Sequence, residues 1–230
     1  MATTSDYLKH NSNVREELLH LRLSFELKKA AAEREYHLKI FRTNVDFEGF
    51  DLIFDDNRII GKYQVKSRWN STTSMLKIHR SMLFPTKRDG ERMRIGDGTM
   101  CSNTEKGVIL IDVKEIDNDI VLDYFYTDFY IIKGIGHGLI KKSKQAMTTA
   151  GKTMINLLGK RSRPNEKMLI GINLFVKMKN PNSLLAICGF DNSIGVNPRA
   201  TFLNLFENNK IINPGIRSDS EFQNNCGTLL

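Results

Sequence analysis

Apolar residues recur every three or four positions near the start of the chain, which is the period of an amphipathic α-helix. The apolar stripe consists of Leu19, Leu23, Leu27 and Ala30. It predicts a helix over residues 13–34, with Asn13 at the N-cap and glutamates in the first turns.

After this helix the pattern changes to short apolar runs bounded by turn residues, which is typical of β-strands. Strands are predicted at residues 36–42, 50–54, 60–67, 168–178 and 183–190, with a hairpin over residues 107–127. A basic helix is predicted over residues 139–158 and a short helix over residues 199–208. This order predicts one α/β (α+β) domain over residues 1–212, with a mixed central sheet flanked by helices, and a polar tail at residues 213–230.

Positive charge is concentrated in two segments of the chain. The 230 residues include 34 lysines and arginines against 26 acidic residues, a formal net charge of +8. Residues 58–94 hold ten basic and two acidic residues, and residues 138–164 hold seven basic residues and no acidic one. A solvated surface explains one such segment, but two in one chain favour contacts with the phosphates of a nucleic acid.

The three cysteines, Cys101, Cys188 and Cys226, are far apart and form no CxxC pair. This spacing argues against a zinc site or a disulfide framework and is typical of a reducing compartment. No segment reaches the roughly 18 apolar residues of a membrane span, and the N-terminus lacks the apolar run of a signal peptide. The sequence therefore predicts a soluble cytoplasmic protein.

The hairpin at residues 49–68 carries polar residues that can meet on one side of two strands. On its second strand, Gln64 and Lys66 alternate with other side chains and so share a face. On its first strand, Asp51 takes the face that Phe50 does not take. An acid, an amide oxygen and an ammonium can therefore converge at one place. The polar face of an ordinary exposed strand would give the same pattern.

Two glutamates, Glu16 and Glu26, fall within the apolar stripe of the predicted helix. A carboxylate in such a stripe is costly unless a cation or hydrogen bonds satisfy it. The two residues lie roughly 15 Å apart along a helix axis, so they could hardly serve one site together. Glu26 is the preferred candidate for a site carboxylate, and Glu16 stays open.

Together these residues resemble the PD-(D/E)XK nuclease superfamily, in the variant that carries QxK. A helix glutamate is followed by Asp51 and then by the strand segment QVK at residues 64–66. The preceding segment DFEGFD, residues 46–51, is similar to a D-x-x-G-x-D lead-in of the family. Phe50 stands where the family name has proline, and Gln64 replaces the usual acid. The resemblance covers roughly residues 16–68.

The resemblance implies a phosphodiesterase that depends on Mg²⁺, with Mn²⁺ as a substitute. Asp51 would be the central metal ligand, and Glu26 would bind the metal directly or through water. The Gln64 amide oxygen and the Val65 carbonyl would complete the shell. Lys66 would orient or deprotonate the attacking water and stabilise charge in the transition state.

The implied substrate is double-stranded DNA, and the two basic segments supply the predicted DNA contacts. These are Arg68, Lys77, Arg80, Lys87, Arg88, Lys141, Lys142 and Lys144. The leading interpretation is a type II restriction enzyme or related defence nuclease that acts as a homodimer. The alternatives are a structure-specific junction or repair nuclease on the same fold, and a non-catalytic nucleic-acid-binding protein.

Overall fold

A computed structural model describes residues 4–43, 49–57, 59–70, 73–83, 104–116, 119–138, 140–158 and 166–190. The helices are α1 (Thr4–His10), α2 (Ser12–Ala32), α3 (Phe129–Gly136), α4 (Lys144–Leu158) and α5 (Pro181–Ile187). The strands are β1 (Lys39–Arg42), β2 (Leu52–Asp55), β3 (Ile60–Trp69), β4 (Met75–His79), β5 (Thr104–Ile116), β6 (Asp119–Thr127), β7 (Lys167–Gly171) and β8 (Val176–Lys177). Short 3-10 helices cover Arg80–Met82 and Ile172–Leu174. The predicted helix at residues 199–208 and the predicted tail at residues 213–230 lie outside the described residues.

Helix α2 buries the predicted apolar stripe against the core. Its buried side chains include Leu19, Leu23, Leu27 and Ala30. The helix prediction is therefore confirmed, but the predicted N-cap is wrong. The helix begins at Ser12, so Asn11 takes the N-cap position and Asn13 lies inside the first turn. The Asn11 side chain does not cap the helix, because its amide donates to the Tyr7 carbonyl at the end of α1.

Six strands form a mixed sheet in the order β1-β2-β3-β5-β6-β8. The first three strands are an antiparallel meander, β3 and β5 are parallel, and β5, β6 and β8 are antiparallel. Strands β4 and β7 form a separate antiparallel pair. Helices α2 and α5 contact each other, and α5 also contacts β6. The predicted mixed sheet flanked by helices is confirmed.

Aromatic packing ties β2 and β3 to the end of α5. The Tyr63 ring lies 4.6 Å from the Phe54 ring, centroid to centroid, and its hydroxyl donates to the Cys188 carbonyl at 3.4 Å. A Cβ at Gly61 would lie 2.4 Å from the Tyr63 ring, so glycine is needed there for the ring to cover its own strand. This packing fixes the middle of β3, which carries the candidate site.

The prediction of a strand at residues 183–190 is wrong, because most of that segment belongs to helix α5. Asn180 caps the helix by accepting a hydrogen bond from the Ser183 backbone N–H at 2.9 Å, and Pro181 occupies its first turn. Both are signals of a helix start. A short apolar run fits a buried strand or a buried helix, so hydrophobicity alone could not decide.

The remaining predicted elements differ from the structure mainly in their ends. The hairpin at residues 107–127 is confirmed by the pairing of β5 with β6. The basic helix begins at Lys144, and the strand predicted at residues 168–178 is divided into β7, a 3-10 helix and β8. Within the described residues, no helix is both long enough and apolar enough to cross a membrane.

Candidate functional site

Asp51 directly precedes β2 and is held against β3 by two hydrogen bonds. Its backbone N–H donates to the Tyr63 carbonyl at 2.9 Å. Its Oδ2 accepts a hydrogen bond from the Val65 backbone N–H at 2.7 Å. The carboxylate is thus fixed beside the residue that directly precedes Lys66. Alternation along β3 could not reveal this contact, because it joins a side chain to the backbone of the neighbouring strand.

A cavity of about 140 Å³ lies between the first half of α2 and β3. It is lined by Glu16, Leu19 and His20 from the helix and by Val65, Lys66 and Ser67 from the strand. Val65 connects this cavity to Asp51, since Val65 lines the cavity and its N–H is held by the Asp51 carboxylate. The structure therefore brings Glu16 and Lys66 to one cavity, and it holds the Asp51 carboxylate at the Val65 backbone, outside the residues that line the cavity.

His20 is a member of this site that sequence reasoning missed. Its side chain is 4% exposed, and neither ring nitrogen has a hydrogen-bond partner among the described residues. Burial lowers the pKa of the imidazole, Glu16 partly opposes this shift, and the charges of Arg42 and Lys66 lower the pKa further. The available signal was its spacing, because His20 follows Glu16 by four residues and so lies one helical turn away.

Glu26 has a different environment from the one predicted. Its Oε1 accepts a hydrogen bond from the Arg22 guanidinium, and its Oε2 accepts one from the Tyr124 hydroxyl at 2.7 Å. Burial first, and this hydrogen bond second, raise the pKa of Tyr124. Glu26 does not line the cavity. Of the two helix carboxylates, the structure brings Glu16 to Lys66 and Glu26 to Tyr124 on β6.

Gln64 lies beside the site in sequence but is directed elsewhere. The residue is 3% exposed, and its amide oxygen accepts a hydrogen bond from the His79 backbone N–H at 2.8 Å. Gln64 is absent from the cavity lining. It links β3 to the end of β4, so the observed role of its oxygen is to satisfy a buried backbone donor.

The region around the cavity offers few of the donors that a divalent cation needs. Within the described ranges, no group of three or more histidine, cysteine, aspartate or glutamate side chains could hold a metal ion. Asp51 and Glu16 are nonetheless the hard oxygen donors that Mg²⁺ prefers, and Mg²⁺ usually keeps several waters. Of the two, only Glu16 lines the cavity, so a cation there would be bound by Glu16 and water, and Asp51 would join it from outside the lining. The oxygens of Gln64 and Glu26 are hydrogen-bonded to protein donors.

Three of the predicted DNA-contact residues already have partners inside the protein. The Arg68 guanidinium donates to Asp112 Oδ2 at 2.8 Å. The buried Arg80 guanidinium donates to Asn156 and pairs with Glu166 at 3.5 Å. The third, Lys142, donates to the Phe175 carbonyl at 3.0 Å, and burial lowers the pKa of its ammonium.

The other predicted DNA-contact residues divide into two groups. Lys77, Lys141 and Lys144 are exposed. Lys87 and Arg88 lie outside the described residues. The accessible positive charge in the described part of these two segments is therefore smaller than the sequence suggested, and part of it lies at the start of α4.

Comparison with known proteins identifies no relative. No protein-family model matches the sequence, and neither the curated proteins nor the solved structures contain a match. The functional assignment therefore depends on the residues around the cavity.

Proposed function

We propose that this protein is a divalent-metal-dependent DNA endonuclease, with Mg²⁺ as the ordinary cofactor, of the PD-(D/E)XK type that its sequence resembles. The observation that supports the proposal is the hydrogen bond from the Val65 backbone N–H to Asp51, which holds a carboxylate against the residue that precedes Lys66. Glu16 lines the same cavity as Lys66. A mixed sheet flanked by helices is the architecture that the resemblance implies.

In this proposal Asp51 and Glu16 hold the cation. When bound, the cation would act as a Lewis acid that withdraws negative charge from the phosphodiester. Lys66 positions the attacking water and stabilises the negative charge that develops on the phosphate oxygens. Gln64 supports the site indirectly, because its bond to His79 holds β3 against β4.

The helix carboxylate of the proposed site is Glu16, which the sequence left open, and not Glu26, which it preferred. Both oxygens of Glu26 are hydrogen-bonded to protein groups. Binding a cation there would require the loss of at least one of these bonds. Glu16 lies at the cavity with Lys66 and needs no such exchange.

Duplex DNA is the proposed substrate. The exposed ammonium groups of Lys77, Lys141 and Lys144 are the candidates for phosphate contacts among the described basic residues. A homodimer, with one site for each strand, is the proposed assembly. Discrete bands from plasmid cleavage would identify a sequence-specific restriction-type enzyme, and dispersed products would favour the structure-specific alternative.

The test is Mg²⁺-dependent cleavage of plasmid DNA by the wild type and by Asp51→Asn. Asparagine keeps an oxygen that can accept the Val65 N–H but removes the charge that a cation needs. We expect cleavage to fall at least about 100-fold. DNA binding should be equal or tighter, since a negative charge near the phosphates is lost. Asp119→Asn, at an exposed position on β6, is the matched control and should cleave normally.

Two results would contradict the proposal. One is a wild-type cleavage rate for Asp51→Asn. The other is a purified, folded wild type that binds DNA but leaves it intact in both Mg²⁺ and Mn²⁺. The second result would favour the non-catalytic nucleic-acid-binding alternative.

A further inference from the structure

Helix α2 carries a second apolar stripe, on the side of the helix that faces away from the core. The stripe consists of Val14, Leu18, Leu21 and Phe25, whose side chains are 37% to 65% exposed. At about 100° per residue, the four fall within about 60° of one another, on the side opposite the buried Leu23. Single apolar residues are common on a protein surface, but a contiguous apolar patch marks an interaction site.

The spacing of this stripe fits another helix as its partner. The four positions are separated by four, three and four residues. This is the spacing of the apolar positions at which one helix packs along another. The stripe holds no basic residue, so it does not fit the phosphates of a nucleic acid. A second copy of the chain presents a helix with the same spacing, and symmetric dimers use one surface of both subunits.

We infer that the second stripe of α2 is a homodimer interface, in which the α2 helices of two copies pack side by side in parallel. The inference rests on the proposed function in one respect, because it names the surface of the homodimer proposed there. Glu16 lies on the opposite side of α2, so the interface does not cover the part of the helix that lines the cavity.

The charges at the two edges of the stripe favour the parallel arrangement. One edge carries Arg15, Arg22 and Lys29, and the other edge carries Glu17. In an antiparallel pair each edge faces the same edge of the partner, which would bring the two basic edges together. In a parallel pair each edge faces the opposite edge, so Glu17 of one copy faces Arg22 of the other. The Arg22 guanidinium also donates to Glu26 on its own helix, but its five N–H donors allow both contacts.

The length of the stripe indicates how strong the dimer is. From Val14 to Phe25 it spans about 16 Å of helix. This is short for a standard stable interface, which buries roughly 800 Å² on each partner. We therefore expect an equilibrium between monomer and dimer, with the dimer predominant at about 100 µM protein.

The experiment measures association without DNA or metal. Sedimentation velocity compares the wild type, Leu21→Glu and Leu169→Glu over about 1 to 100 µM protein. Leu169→Glu is the matched control, because it is the same substitution at a leucine of β7 that is 63% exposed, against 60% for Leu21. We expect Leu21→Glu to weaken dimerisation at least about 100-fold, since both copies lose an apolar contact and place a charge in the interface. The control should associate like the wild type.

Thermal melts establish that each variant is folded before its association is measured. Leu21 is exposed, so its substitution should leave the monomer folded. If Leu21→Glu does not fold, Phe25→Gln replaces it and should weaken dimerisation at least about tenfold.

Two charge reversals test the parallel arrangement. Glu17→Arg and Arg22→Glu should each weaken dimerisation at least about threefold, because like charges then face each other across the interface. An equal mixture of the two variants should associate more tightly than either variant alone, because every facing pair in the mixed dimer has opposite charges. A mixture that associates no better than its components overturns the parallel arrangement.

The inference is overturned if the wild type stays monomeric at about 100 µM protein. A folded Leu21→Glu that dimerises like the wild type overturns it as well. Failure of the proposed function gives a different result. In that case dimerisation depends on Leu21, but plasmid DNA stays intact with every metal.

Discussion

The two halves of α2 carry the same chemical group in different surroundings. Glu16 and Glu26 lie in one helix stripe, ten residues apart. Near the C-terminal end, Arg22 and Tyr124 hydrogen-bond the two oxygens of Glu26. Near the N-terminal end, Glu16 lines a cavity with Lys66 and with an imidazole that has no protein partner. A carboxylate satisfied by the protein holds the fold together, whereas one beside a cavity can bind a ligand.

The largest expected effect is on activity and separates the two glutamates directly. Glu16→Gln should lower Mg²⁺-dependent plasmid cleavage by about 100-fold, because one of two proposed carboxylate ligands loses its charge. Glu26→Gln is the matched control, with the same substitution on the same helix, and should stay within about threefold of wild type. The initial rate of cleavage is the measurement. The opposite pattern would return the metal ligand to Glu26 and overturn the assignment made from the cavity.

The second effect is on stability, and here the substitution of Glu26 has the larger effect and that of Glu16 the smaller. Glu26→Gln should lower the free energy of unfolding by about 1–2 kcal/mol, because the Tyr124 hydroxyl loses a charged acceptor. The pair with Arg22 adds little, since the Arg22 side chain is 62% exposed. Glu16→Gln should change stability by less than about 0.5 kcal/mol. Urea unfolding measures both variants, and Tyr124→Phe should reproduce the loss seen for Glu26→Gln.

Sequence periodicity predicted the elements that position the site, because α2 has 21 residues and β3 has ten. It could not separate Glu16 from Glu26. The partner that decides their roles, Tyr124, is 98 residues from Glu26 along the chain. For the same reason it could not show that the Gln64 oxygen is bound to the His79 backbone. These contacts depend on how distant strands meet.

Two further differences have local causes. Helices α3 and α5 each start at a side-chain cap, Asp128 and Asn180 respectively, and the prediction from sequence gave these caps no weight. If the N-cap signal had been given more weight than hydrophobicity, helix α5 would have been predicted. His20 is a different case, because only the structure reveals that a buried polar group has no partner.

A third, smaller effect is a pH dependence of stability at the N-terminal half of α2. The pKa of His20 is lowered below 6.5 in the folded protein, chiefly by burial. As the pH falls below about 6.5, the unfolded chain takes up a proton that folded His20 resists, so stability is lost. Metal-free His20→Leu should therefore show a smaller fall in melting temperature than wild type between about pH 7.5 and pH 5.5. The His137 pKa is lowered in the same direction. His137→Leu is thus the control, and it must keep the fall in melting temperature that is due to His20. If the melting temperature of His20→Leu falls with pH as steeply as that of the wild type, the prediction is refuted.

The smallest expected effect is on the salt dependence of DNA binding. It compares exposed lysines near the start of α4 with a lysine that is already hydrogen-bonded inside the protein. Lys141 and Lys144 are exposed at the start of α4, whereas the Lys142 ammonium donates to the Phe175 carbonyl at 3.0 Å. If both exposed lysines contact phosphates, replacing them together by methionine should lower the slope of log K against log salt by about 1.8 for duplex DNA. Lys142→Met should leave the slope unchanged and lower the melting temperature instead, because a buried carbonyl loses its donor.

Fluorescence anisotropy at several salt concentrations gives the slopes. Equal slopes for the double variant and the wild type would mean that the start of α4 faces water, and a reduced slope for Lys142→Met would mean that its ammonium leaves Phe175 for the DNA.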